Sequence, residues 1–98
     1  MKKKEVYQYG FDTGYDIASE NLFDYDLKNE EQKENFACDM AEFESSEFRQ
    51  HSPFEFFAHE LNSARNSDEL WEEYDDGVWD GIWHRIWEET GLLGDKKS

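Results

Sequence analysis

The spacing of apolar residues predicts a first helix over roughly residues 5 to 22. Tyr7, Phe11, Tyr15, Ala18 and Leu22 recur at i, i+4, i+8, i+11 and i+15, one stripe of a 3.6-residue period. Asp12, Asp16 and Glu20 make a second stripe on the opposite face. Residues 23 to 29, FDYDLKN, alternate apolar and polar, which fits either a loop anchored by its rings or a short extended piece. A second helix starts behind Asn29 as N-cap. Gln32 sits at capping-box spacing, and Glu30 and Glu31 suit the positive helix start. Its core stripe is Phe36, Met40 and Phe43, and it ends between Glu44 and Gln50. Ser52-Pro53-Phe54-Glu55 opens a third helix with an N-cap serine, proline at the first helical position and glutamate at the third. Phe54, Phe57, Ala58 and Leu61 are its apolar face. A fourth helix follows Asn66-Ser67, with Glu69 placed to close a capping box on Asn66. It runs to about Thr90, where Gly91 suits the C-terminal cap. The pattern therefore predicts an all-α fold, a compact bundle of about four short helices forming one domain over residues 1–98. Short joints favour antiparallel neighbours, and the basic ends, 1–4 and 94–98, are expected to fray.

Four glycines interrupt this pattern. Gly10 and Gly14 lie in the first helix and Gly77 and Gly81 in the fourth, each costing about 1 kcal/mol relative to alanine. Tyr7, Gly10 and Gly14 repeat the spacing of Tyr74, Gly77 and Gly81. Both pairs fall on the core-facing side at 100° per residue. Glycine there admits a neighbour closer than the usual 8–10 Å between helix axes. Either the first and fourth helices cross at their glycines, or each notch takes a bulky ring. The interleaved Asp12, Asp76 and Asp80 exclude a membrane-spanning version of this motif.

The fourth helix carries more apolar surface than one face can hold. Leu70, Tyr74, Val78, Ile82 and Ile86 drift round one side, and Trp79, Trp83 and Trp87 form a second row beside Glu69, Asp76 and Asp80. Trp79 is expected to complete the core under the second helix, and Trp83 and Trp87 are candidates for a partner interface. Phe56 lies off its own apolar stripe, so it either packs on residues 23–29 or is exposed.

Charge then changes the picture. Residues 5 to 95 hold all 25 acids against Lys28, Lys33, Arg49, Arg65 and Arg85, a net of −20, and the remaining five lysines are terminal. A compact body with that charge repels itself, disfavours nucleic acid and anionic lipid, and favours a basic partner. With 8 Phe, 5 Tyr and 4 Trp the chain is too aromatic for an acidic disordered segment. Two carboxylate rows stand out: Asp12-Asp16-Glu20, and Glu69-Glu72-Glu73-Asp76-Asp80. Their i, i+4 spacing of roughly 6 Å resembles that of phosphates along a strand. Like charges at that spacing are mildly destabilising, so their repetition points to selection for the field itself.

Other chemistry finds little support. Cys38 is a single cysteine, which excludes an internal disulfide, fits a reducing compartment, and reads as a small buried hydrophobe. His51, His59 and His84 are scattered, and His59-Glu60 lacks the second histidine of a zinc-protease motif. Asp24-Tyr25-Asp26 opens like a calcium loop, but Asn29 and Asn35 replace its required glycine and glutamate. No apolar run reaches membrane-span length. The expectation is a cytoplasmic, non-enzymatic protein without cofactor or metal.

Size, helical reading and acidic rows on aromatic-rich helices resemble the small DNA-mimic inhibitors of bacteriophages, the anti-CRISPR and anti-restriction proteins. YGFDTGYDIASE and RQHSPFEFFAHELN resemble stretches of phage early-gene products. The resemblance is one of character over the whole chain. It implies a phage-type inhibitor, most often an anti-CRISPR, that occupies the basic nucleic-acid groove of a CRISPR or restriction complex in the host cytoplasm. The candidate partner-binding residues are Asp12, Asp16, Glu20, Glu69, Glu72, Glu73, Asp76, Asp80, Trp83 and Trp87. The alternatives are a nuclease-toxin immunity protein and an acidic protein–protein adaptor, and the tryptophan row also allows a homodimer.

Overall fold

The structure is a computed structural model and describes residues 2–48 and 52–91, with side chains from residue 56 onward in the second stretch. Helix α1 spans Lys3–Asn21, α2 spans Glu30–Ser46, α3 spans Ser52–Ser63 and α4 spans Ser67–Thr90, with one turn of 3₁₀ helix at Leu22–Asp24. No strand occurs among the described residues. The all-α bundle expected from the apolar spacing is the fold observed.

The dominant interface joins α1 to α4, and the four glycines make it. A Cβ added at Gly10 would stand less than 3 Å from the carbonyl oxygen of Tyr74, and one at Gly14 from that of Val78. Reciprocally, a Cβ at Gly77 would meet the carbonyl of Tyr7, and one at Gly81 that of Phe11. Of the two alternatives, the helices crossing at their glycines is therefore the correct one. Each glycine turns an α-hydrogen toward a carbonyl of the other helix, the geometry of Cα–H···O contacts at close helix pairs.

These pairings rise together: residues 7 to 15 of α1 meet residues 74 to 81 of α4 in increasing order. The two helices thus run parallel. A strict up-down-up-down bundle would have made them antiparallel, so short joints did not set the topology. The pairings also exchange under a shift of 67 residues, since Gly10 opposes Tyr74 just as Gly77 opposes Tyr7. A local pseudo-twofold axis runs between α1 and α4.

One side of this pair is covered by α2 and α3. The core there holds Val6, Ile17, Ala18 and Leu22 of α1, Phe36, Ala37 and Met40 of α2, and Leu70, Tyr74, Val78, Ile82 and Ile86 of α4. From α3 come Phe57, which stacks flat on Tyr9 at 3.9 Å, and Leu61. Phe54, expected beside them, has no described side chain. Tyr74 is fully buried and donates its hydroxyl to the buried carboxylate of Glu44 at 2.6 Å, tying α2 to α4.

Several expectations are corrected. On α1 the core face is Val6, Thr13 and Ile17, while Tyr7, Phe11 and Tyr15 are half-buried on the other side of the glycines. The glycines occupy the centre of the contact, so the rings flank it. On α2 Phe43 is 38% exposed and Glu44 is buried in its place, because the Tyr74 hydroxyl gives that carboxylate a donor. Trp79 is 39% exposed and does not complete the core. Cys38 is exposed. Lys3 and Lys4 form the first turn of α1. Segment 94–98 and His51 lie outside the described residues.

Caps follow the sequence in part. The Asn29 side chain accepts from the Gln32 backbone N–H at 2.9 Å, and Gln32 Oε1 accepts from the backbone N–H of Lys28. Gly91 closes α4 at φ 81°, the left-handed conformation that favours glycine. Asn66 makes no side-chain cap. Between α1 and α2, the 3₁₀ turn takes in Phe23 and Asp24, and Tyr25 sets its ring edge-on to Phe36 at 4.7 Å, so the rest of 23–29 is a loop anchored by a ring. Helix α2 begins in the middle of the calcium-like segment. Phe56 is 78% exposed.

Gly77→Ala would gain helix propensity but force a methyl into backbone that cannot move aside. We expect a net loss of about 1–3 kcal/mol, lowering Tm by roughly 5–20 °C. Gly91→Ala meets no atom within 4 Å and should cost only about 1 kcal/mol from its positive φ. Thermal unfolding followed by circular dichroism measures both, and an unchanged or raised Tm for Gly77→Ala would contradict the close contact.

Candidate partner-binding surface

At 100° per residue, Glu69, Glu72, Glu73, Asp76 and Asp80 share the outward side of α4 with Trp83 and Trp87. The acids hold its first half and the tryptophans its second, with Asp80 at the junction. Glu69, Glu72, Asp76 and Asp80 are exposed and Glu73 is half-buried. The Asp12, Asp16 and Glu20 row is exposed along the outward side of α1. A shift of 67 residues carries Asp12, Asp16 and Glu20 onto Trp79, Trp83 and Trp87. The same stripe of the helix pair therefore bears acids on one edge and tryptophans on the other. The structure does not merge the two acidic rows into one face. The α1 row points away from α4, while Glu69 and Asp80 of the α4 row reach back to Lys3 and Tyr7 of α1.

The α1 row lines a cleft of about 450 Å³, whose other wall includes Phe43 and Phe48. Gln8 donates to Asp12 at 2.9 Å. Asp16 and Glu20 have no hydrogen-bond or ion-pair partner among the described residues.

Between the edges, on the side away from α2 and α3, the rings of α1 meet the acids of α4. Tyr7 donates its hydroxyl to Asp80. Tyr15 donates to Glu88 at 2.5 Å. The Phe11 ring lies 5.4 Å from that of His84, whose Nε2 is 3.3 Å from Glu88. Lys3 reaches Glu69 at 3.0 Å. That contact holds Glu69 below the usual carboxylate range and raises Lys3. Glu69 thus serves α1 rather than a capping box. Three of the predicted binding acids, Asp12, Glu69 and Asp80, have internal partners. Glu72, Glu73 and Asp76 have none among the described residues.

The tyrosine–carboxylate pairs were not legible in the sequence, since 73 residues separate each donor from its acceptor. The repeated Tyr-Gly-Gly spacing was the one available signal. The bond to Asp80, then burial, then the charges of Asp80, Asp76 and Glu73 push the Tyr7 phenol up to about 12. Tyr15 is raised by its bond to Glu88 and by burial.

The tryptophans form a ladder. Trp79 and Trp83 have ring centroids 6.2 Å apart at 67°, and Trp83 and Trp87 are 5.9 Å apart at 42°. Trp83 and Trp87 are half-buried, with Trp83 packed against the core. With Glu30 and Asp80 the ladder lines an open groove of about 430 Å³. Trp71 lies elsewhere, its indole N–H donating to Asn62 at 2.9 Å.

Among the described residues no group of three or more His, Cys, Asp or Glu side chains is arranged to hold a metal ion. No helix among them is long and apolar enough to cross a membrane. Comparisons with protein-family models, curated proteins and solved structures find no match to the chain.

The Tyr7 assignment has a pH signature. A phenol raised from 10.0 to about 12 contributes stability that is complete below pH 10 and lost as pH rises toward 12. Ultraviolet titration of phenolate should show a component with a midpoint near 12 that Tyr7→Phe removes. The five tyrosines titrating together near pH 10 in the folded protein would refute the Asp80 bond.

Proposed function

We propose that this protein is a phage-type inhibitor, of the anti-CRISPR kind, that mimics nucleic acid and blocks a basic DNA-binding surface of a host defence complex. The observation that carries this reading is the pair of carboxylate rows, Asp12, Asp16 and Glu20 on α1 and Glu72, Glu73 and Asp76 on α4, all exposed but the half-buried Glu73. Each row repeats at roughly 6 Å. Arginines and lysines that normally hold phosphates would pair with Asp12, Asp16 and Glu20 of α1 and with Glu72, Glu73 and Asp76 of α4.

Inhibition on this reading is steric and electrostatic. The body's net charge of −20 attracts a basic groove and speeds encounter. Contacts at Trp83 and Trp87 slow release. The protein needs no catalytic group or cofactor for this, and its working compartment is the host cytoplasm.

The test is capture of CRISPR effectors and restriction enzymes by the tagged protein. Bound target should be displaced by duplex DNA and weakened as salt rises from 50 to several hundred millimolar, roughly one Debye length shrinking to less than half. Glu72→Lys, Glu73→Lys and Asp76→Lys together should reduce capture at least about tenfold, a loss of 1.4 kcal/mol, without unfolding the chain. Capture indifferent to DNA and salt would refute mimicry and favour an adaptor. Capture confined to a nuclease toxin would favour an immunity protein.

A further inference from the structure

We infer that the tryptophan ladder on the outer edge of α4 is a docking site for an arginine-rich segment of the partner. The inference rests on the mimic reading for the existence of a basic partner, and adds which basic side chain the site selects. A groove walled by three indoles would by itself suit any apolar occupant. Two observations narrow it. Two carboxylates line it with the rings: Asp80, whose Oδ2 accepts from Tyr7 and leaves Oδ1, and Glu30 of α2, whose Oε1 pairs with Lys33 at 3.2 Å and leaves Oε2. The body around it carries a net charge of −20, which repels acidic segments and also a second copy of this chain.

Among basic side chains the groove favours guanidinium over ammonium. A guanidinium is planar and weakly hydrated, so it can lie on an indole face while its edge donates to a carboxylate. A lysine ammonium is a compact, strongly hydrated charge and gives up more on leaving water. The Trp79 ring, 39% exposed, is the accessible platform, and the half-buried Trp83 is the floor. Ring spacings of 6.2 and 5.9 Å match residues four apart on a partner helix, about 6 Å. They also match alternate residues of an extended segment, roughly 6.6 Å. Successive arginines in either form would find successive rings.

The test uses the full chain and two probes, hexa-arginine and hexa-lysine, followed by nuclear magnetic resonance of the four indole N–H signals. Hexa-arginine should shift the signals of Trp79, Trp83 and Trp87 and leave that of Trp71, which is bonded to Asn62, in place. It should bind about threefold or more tighter than hexa-lysine. Trp79→Ala should remove that preference, and Phe56→Ala, which deletes an exposed ring on α3, should leave it. Equal affinity for the two peptides, or a preference that survives Trp79→Ala, would overturn the inference. The two readings fail separately. DNA-competed capture without an arginine preference refutes the ladder's role alone. An arginine preference without DNA-competed capture refutes mimicry alone.

Discussion

The contact between the backbones of α1 and α4 fixes everything else about this molecule. Four glycines stand where any side chain would strike a carbonyl of the opposing helix. Interfaces of this kind are best known where lipid surrounds the helices and close backbone approach must replace the hydrophobic effect. Here the residues beside the glycines include Asp76, Asp80, Tyr9 and Tyr15, and the pair is held from outside by a core on one side only. Close approach lets a 98-residue chain with so many acids keep a continuous apolar seam, because each glycine notch brings the flanking rings and aliphatic side chains together as well.

The parallel register has consequences for charge. It places the hydroxyls of Tyr7 and Tyr15 against Asp80 and Glu88, so part of the acidic load is absorbed by neutral donors rather than by lysine. Glu44 is treated likewise by Tyr74. The other described carboxylates, Glu73 apart, are exposed on all four helices and on the α1–α2 connection, where water screens them. On the proposed function, the rows on α1 and α4 are the part of this charge that a basic groove would meet.

Much of the architecture could be read from the residues, and the failures share a cause. The helices, the Asn29 cap and the Gly91 terminus are local features, set by spacing and by single residues. The repeated Tyr-Gly-Gly spacing even pointed to the helix pair. The phase of the α1 stripe was missed because an apolar count treats Tyr7, Phe11 and Tyr15 as core, whereas a glycine-centred contact pushes rings to its flanks. Trp79 was assigned to the core for want of the register that makes it the counterpart of Asp12. Glu44 and Phe43 exchanged roles because a partner thirty residues away decides which of them can be buried. The outward direction of both acidic rows was legible. That Glu69 and Asp80 would bond to Lys3 and Tyr7 was not, since it depends on the register between α1 and α4.

The relative direction of α1 and α4 is the most direct thing to measure. Spin labels at Glu5 and Glu72, exposed positions related by the 67-residue shift, should lie level across the helix pair. Labels at Glu5 and Glu89 should lie farther apart, offset along the axis by roughly 25 Å at 1.5 Å per residue. Pulsed electron resonance on the two doubly labelled proteins gives both distances. A shorter distance for 5/72 than for 5/89 is the result a parallel, glycine-centred pair requires. The reverse order would mean an antiparallel pair and would contradict the account at its base.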